Sequence, residues 1–196
     1  MNGLSLIVIV CLGLSQFKQT NCLSHPAVDS LLHEITLLED FHAILNRFDW
    51  RLNELVDLPI LFPVDLLRTP CSRISSGYGW RLHPVSGKMK LHKGIDIASP
   101  CGTPVYCAGN GRVIRSGYDR GYGKFLEVRH AGGFATRYAH LDNVQVRQGD
   151  PVRIGEQIAT VGHSGLATGD HLHFEIRKNG TTWNPFEWFE YLWGKE

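Results

Sequence analysis

The residues best suited to chemistry lie in Gly169-Asp170-His171-Leu172-His173-Phe174-Glu175-Ile176-Arg177. Read with the two-residue period of a strand, the segment puts Leu172, Phe174 and Ile176 on one face and His171, His173 and Glu175 on the other. Two imidazoles roughly 7 Å apart along one strand face allow one to bind a metal while the other reaches a water or a substrate. Two surface histidines on a half-buried strand give the same pattern, so the pair needs support from elsewhere in the chain.

That support comes from Leu91-His92-Lys93-Gly94-Ile95-Asp96-Ile97. Gly94 lets the backbone bend between His92 and Asp96, so that an imidazole and a carboxylate can converge on one cation. With His173 they make a nitrogen, nitrogen, oxygen donor set that leaves a tetrahedral position open, as in a catalytic zinc site; a structural site is closed and more often uses cysteine. Zinc with one carboxylate keeps a net charge of about +1, enough to acidify a bound water and polarise a carbonyl. In Arg137-Tyr138-Ala139-His140-Leu141-Asp142, His140 ends an expected strand just before a turn, where a rigid sheet presents catalytic groups. Neutral His140 and His171 are both available for the water proton and for the charge on a tetrahedral intermediate. No HExxH sequence is present, and Glu175 is expected to brace a neighbour or sit in a salt bridge.

These residues need a rigid frame, and the sequence after residue 71 describes one. Short strand-like runs at 103–108, 112–116, 125–130, 135–140, 157–161 and 171–177 are separated by Gly109-Asn110-Gly111, Gly121-Tyr122-Gly123, Gly132-Gly133, Asp142-Asn143 and Asn179-Gly180, turn chemistries suited to positive φ. The expected fold is mainly β: a compact antiparallel β-sheet catalytic domain with an open groove, over residues 71–196. An aromatic-rich terminus from Trp183 to Trp193 is expected to pack as a turn or short helix. Cys71, Cys101 and Cys107 permit one disulfide with one thiol left over, or three isolated thiols.

Ahead of that domain, Leu4 to Leu14 is an uncharged apolar run too short to span a bilayer, so residues 1–23 read as a signal peptide, with a signal anchor as the rival. Val10 and Asn21 precede Cys11 and Cys22, and neither is the small residue usual before an acylated cysteine. Residues 24–70 are expected to hold one long amphipathic helix, from the spacing of Leu31, Ile35, Leu38, Leu45, Phe48, Leu52 and Leu55, and then a linker marked by Pro59, Pro63 and Pro70. Self-association through residues 27–56 and a membrane tether at the N-terminus are both compatible with this pattern. Lys and Arg total 20 against 19 for Asp and Glu, which gives no electrostatic case for nucleic acid.

The motifs together resemble the lysostaphin-like zinc endopeptidases, which cleave peptide bonds in peptidoglycan. The resemblance runs from about Ile74 to Phe186 and includes Ser76-Gly77-Tyr78-Gly79-Trp80-Arg81, His83-Pro84, His92-Lys93-Gly94-Ile95-Asp96, Gly102-Thr103-Pro104-Val105, Tyr138-Ala139-His140-Leu141, Gly162-His163-Ser164-Gly165 and His171-Leu172-His173-Phe174-Glu175. It implies one Zn2+ held by His92, Asp96 and His173, with His140 and His171 as catalytic histidines. His171 is expected as the base and His140 as its partner and oxyanion stabiliser. Tyr78, Arg81, His83 and Tyr138 are expected substrate contacts. The implied substrate is a peptidoglycan peptide and the implied location is outside the cytoplasm, periplasmic or extracellular. Asp170 stands where such sequences often have Pro. The competing expectation is a non-catalytic wall-binding or hydrolase-activating relative of the same fold. Such relatives lose zinc ligands, and here the full set is present.

Overall fold

The computed structural model describes residues 57–66, 69, 71–82 and 87–193, with the backbone alone over 190–193. The expected signal segment, the expected amphipathic helix over 27–56 with its self-association surface, and His83 lie outside the described residues. No helix among the described residues is long and apolar enough to cross a membrane.

Among the described residues, twelve strands run in chain order: β1 Arg73–Ser76, β2 Gly79–Leu82, β3 Met89–His92, β4 Ile95–Ala98, β5 Pro104–Tyr106, β6 Gly111–Asp119, β7 Gly123–Arg129, β8 Phe134–Val144, β9 Pro151–Val152, β10 Gln157–Val161, β11 His171–Lys178 and β12 Thr181–Trp183. A helix, α1 Pro185–Trp193, follows. Ten strands form one sheet whose main path is β1-β4-β11-β8-β7-β6-β9, while β2 and β3 make a separate ribbon. All these pairings are antiparallel, as expected for short strands joined by tight turns. The β1 to β4 segment, absent from the strand-like runs read in the sequence, supplies two of the candidate metal ligands. Its strands are only four residues long, which leaves little room for a period to show.

The HxH strand β11 lies inside the sheet, between β4 and β8. Its alternation is as expected, with Leu172, Phe174 and Ile176 fully buried in an apolar layer beside Ile95, Ile97, Leu126, Val128 and Leu141. The opposite face is also buried: His173 is 5 % exposed and Glu175 0 %. This strand is therefore covered on both sides, one apolar and one polar, rather than half-buried.

The Pro-containing segment also differs from expectation. Ile60, Leu61, Val64 and Leu66 are buried, Val64 and Leu66 within the same core. Pro59 and Pro63 lack donors, but their carbonyls accept hydrogen bonds from Trp188 Nε1 (2.8 Å) and Tyr106 N (2.9 Å). The boundary expected at residue 71 thus falls inside the packed unit. Cys71, Cys101 and Cys107 are free thiols; Cys107 is buried beside the Gly109 carbonyl, and burial pushes its thiol up to about 12.

Gly94 sits just before β4, where the chain comes alongside β11, and a Cβ there would be driven into the Phe174 carbonyl. Gly94→Ala is expected to cost about 2–3 kcal/mol of stability through overpacking. Gly169→Ala, with nothing within 4 Å of its Cβ, should stay within about 0.5 kcal/mol of wild type. Urea unfolding of the two variants checks both, and equal stabilities would contradict the close approach.

Candidate active site

Antiparallel register carries the site. His173 on β11 pairs with Asp96 on β4, and Gly79 on β2 pairs with His92 on β3. The ribbon delivers one imidazole, β4 the carboxylate and β11 the second imidazole, with ligand atoms all within 4.8 Å of one another. His173 Nδ1 lies 2.8 Å from Asp96 Oδ1 and 3.0 Å from His92 Nε2, and His92 Nε2 lies 3.0 Å from the same Asp96 oxygen. All three residues are buried.

The remaining hydrogen bonds fix which atoms have free lone pairs. His92 Nδ1 donates to the Gly77 carbonyl at 2.6 Å, leaving Nε2 as an acceptor. His173 Nε2 donates to Glu175 Oε1 at 3.2 Å, leaving Nδ1 as an acceptor. Three acceptor atoms therefore face one another without a donor between them, an arrangement that a cation satisfies. Two imidazole nitrogens and one carboxylate oxygen suit zinc. Burial opposes protonation of His173, but its contacts with Asp96 and Glu175 outweigh this and raise its pKa. Burial likewise works against an ionised Asp96, and the two histidines overcome it, holding the carboxyl well below the usual range.

Glu175 has the bracing role expected of it. Its Oε1 accepts from His173 and from Tyr122 Oη at 2.7 Å, and its Oε2 accepts from Arg177 Nε at 2.8 Å. Burial would raise its pKa, but these partners bring it down to about 2. Arg137 and Glu127 extend the ionic cluster away from the groove, at 2.9 Å from each other.

His140 and His171 stand beside this set, with ring centroids 4.6 Å apart. His171 Nδ1 donates to the Gly169 carbonyl and His140 Nδ1 to the Ser164 carbonyl, both at 2.8 Å. Each Nε2 is left as an acceptor. Burial lowers the His140 pKa to about 4, so the ring is neutral near pH 7. The oxyanion role expected of His140 needs a proton on Nε2, and the resting tautomer does not have one. Its backbone is also unusual, with φ 58° in the left-handed region, which breaks the alternation of β8. Tyr138 points into the core while His140 lines the groove.

The groove is lined by Arg81, Lys90, Leu91 and Lys93 from the ribbon and its flank and by Gly121, Tyr122, Leu166 and Thr168 from the segments after β6 and β10. Its volume is about 380 Å³. Of the expected substrate contacts, Arg81 is here, but its Nη2 is bound to Asp96 Oδ2 at 2.9 Å, which leaves Oδ1 for the cation. Tyr138 is corrected: it is 0 % exposed, and its hydroxyl bonds Ala108 N and Thr136 Oγ1. Tyr78 is not in the groove either, and its hydroxyl contacts Thr182. Tyr122 and Leu166, both lining the groove, are absent from the contacts expected from the sequence. Only the Gly-Tyr-Gly turn hints at the first, and nothing marks the second.

Residues 90–185 match the model described as peptidase family M23. A point mutant of the catalytic domain of the prophage-encoded M23 protein EnpA from Enterococcus faecalis is 32% identical, with TM-score 0.53, covering 59% of this chain and 89% of that one. The chain belongs to peptidase family M23. A zinc-containing peptidase from Vibrio cholerae shares its fold with TM-score 0.58 and 38% identity, over 63% of this chain and 37% of that one. The peptidoglycan DD-endopeptidase ShyC of Vibrio cholerae is 42% identical over 122 residues, 61% of this chain and 28% of ShyC. The chain thus spans about a quarter of the length of such curated M23 relatives. The resemblance read from the spaced motifs holds, and the M23 fold carries the zinc-compatible set His92, Asp96 and His173.

The His140 shift gives a pH signature. Its folded pKa, about 4, lies below the ordinary 6.5, so as pH falls from about 6.5 to 4 the unfolded chain takes the proton first and folding weakens. The loss attributable to this ring approaches roughly 3 kcal/mol. His140→Asn, which tolerates the left-handed backbone, should remove that part of the slope. Urea titrations of metal-stripped protein between pH 4 and 8 measure it; parallel profiles for the two proteins would contradict a neutral buried His140.

Proposed function

We propose that this protein is a zinc-dependent endopeptidase that hydrolyses peptide bonds in the stems or cross-bridges of peptidoglycan. The observation that carries the reading is the open acceptor triad His92, Asp96 and His173, flanked by two imidazoles whose Nε2 atoms face the same groove. A structural metal site has no use for that flanking pair. The name of ShyC as a peptidoglycan DD-endopeptidase directs the reading toward cross-links between D-amino acids. Lys90 and Lys93 in the groove lining suit a peptide that carries free carboxylates, as peptidoglycan stems do.

Zinc bound to the triad supplies Lewis acidity, polarising a substrate carbonyl and acidifying water. The chain's own groups supply the rest. His171 Nε2, held as an acceptor by the Gly169 carbonyl, takes the proton of the attacking water and returns it to the leaving amine. His140 Nε2, aimed by the Ser164 carbonyl, accepts a second hydrogen bond from that water and orients its lone pair toward the scissile carbon. Its burial keeps it unprotonated for that purpose. Stabilisation of the oxyanion would fall to a cation held by His92, Asp96 and His173, because the resting tautomer of His140 offers no donor. Arg81 fixes the Asp96 carboxylate, and Leu166 and Thr168 line the groove beside the peptide.

Export fits this substrate: the apolar run at 4–14 serves as a signal or anchor, and the helical pattern over 27–56 serves as spacer or self-association surface. A non-catalytic wall-binding role has no observation in its favour while the triad and both flanking histidines are present.

Digestion of purified peptidoglycan with mass analysis of the fragments tests the reading and names the bond. His92→Ala should lose both zinc and hydrolysis. His171→Ala should retain one zinc while turnover falls by about 10²–10⁴-fold. Full turnover after removal of the metal, or intact peptidoglycan with zinc-loaded protein, would falsify it.

A further inference from the structure

The turn between β6 and β7 makes more contacts with the site than a hairpin connection requires. Asp119 Oδ1 accepts hydrogen bonds from Gly121 N at 2.7 Å and Tyr122 N at 3.0 Å, which fixes the turn internally. The Gly121 carbonyl accepts from Leu166 N at 2.9 Å. Gly123, with φ +65°, lies against Ser164 so closely that no side chain fits. Ser164 Oγ accepts from Lys124 N and donates to the Leu141 carbonyl, and the Ser164 carbonyl aims His140.

Tyr122 is placed by this turn so that it reaches both halves of the site at once. Its main-chain carbonyl accepts from His140 N at 2.8 Å, at the residue whose φ of 58° swings the imidazole out of the apolar layer. Its hydroxyl donates to Glu175 Oε1 at 2.7 Å, the oxygen that also holds His173 Nε2. Its ring lies 5.7 Å from the His173 ring and 4.7 Å from the Arg137 guanidinium. We propose that Tyr122 is a positioning residue, mounted on the Asp119–Gly123 turn, that sets the separation between the ligand His173 and the catalytic His140.

The inference rests on the zinc-peptidase reading above, but its first readout needs no substrate. Tyr122→Phe removes one oxygen and leaves both the ring and the main-chain carbonyl. Glu175 then loses a donor, and His173 loses part of its orientation. Zinc affinity, measured by competition with a chelator, is expected to fall about tenfold. Cobalt substituted for zinc should show an altered visible spectrum. On peptidoglycan fragments kcat should fall about tenfold with KM within about twofold of wild type, because the effect reaches the chemistry through His173. Asp119→Ala, at an exposed carboxylate, should lower kcat by several-fold while zinc affinity changes less, since it loosens the mount and leaves the Glu175 contact in place.

A Tyr122→Phe protein with wild-type zinc affinity, cobalt spectrum and kcat would overturn the proposal. So would a rise in KM alone, which would make Tyr122 a wall that touches substrate. If wild-type protein binds zinc but leaves peptidoglycan intact, the proposed function falls, while the affinity and cobalt measurements still decide the His173 half of the proposal.

Discussion

Two imidazole lone pairs and a carboxylate oxygen held at 2.8 to 3.0 Å from one another repel unless a proton or a cation stands between them. Each of the three is buried, so water does not screen the repulsion. The structure holds the atoms there by committing every other polar atom of those side chains. His92 Nδ1 is spent on Gly77, His173 Nε2 on Glu175 and Asp96 Oδ2 on Arg81. The rings cannot turn their lone pairs away without breaking those bonds, and a cation between them relieves the conflict.

The polar face of β11 follows from the same constraint. Glu175 is fully buried and ionised, a costly state for an isolated carboxylate. Two guanidiniums offset it: Arg177 lies 2.7 Å from its Oε2 and Arg137 lies 3.9 Å away, and both also reach Glu127. Two carboxylates and two guanidiniums alternate around a closed ring, so the cluster is close to neutral while each charge has an opposite neighbour. Such a ring adds little net stability against an apolar replacement of equal volume. Its use is orientation. It fixes the Glu175 carboxylate, hence the His173 tautomer, hence the nitrogen presented to the metal.

The legible part of this design is the part that obeys a period or a spacing. Alternation in His171 to Arg177 separates polar from apolar faces correctly, and the four-residue interval from His92 to Asp96 across Gly94 does bring an imidazole to a carboxylate. The reason differs in detail, since the two residues lie on separate strands and Gly94 is needed for its close approach to Phe174. What escapes a reading of the sequence is set by tertiary contacts. In a regular strand the period-two rule would put Tyr138 and His140, two apart on β8, on one face. One left-handed residue cancels it, at a cost of roughly 1–2 kcal/mol, and no nearby sequence feature announces where. The pairing of Arg81 with Asp96 escapes because the two are fifteen residues apart. The packing of 57–66 escapes because proline carbonyls accept hydrogen bonds as readily as others do.

The backbone strain at His140 bears on the choice between enzyme and binder. A protein that only gripped peptide would gain nothing from holding an imidazole in an unfavourable conformation, buried, neutral and with its Nε2 lone pair facing the groove. Burial depresses its pKa to about 4, which makes His140 a poor ion-pair partner for a carboxylate-bearing ligand at neutral pH. The same environment makes it a reliable hydrogen-bond acceptor. An Nε2 acceptor beside a second one, on His171, suits a molecule that arrives with two protons to place, and water is that molecule. Among the described residues, the groove's unpaired cations lie instead on and beside β3, at Lys90 and Lys93. In the proposed reaction the ribbon's cations would face the peptide and the sheet's imidazoles would handle the water, while ribbon and sheet together supply the His92, Asp96 and His173 triad.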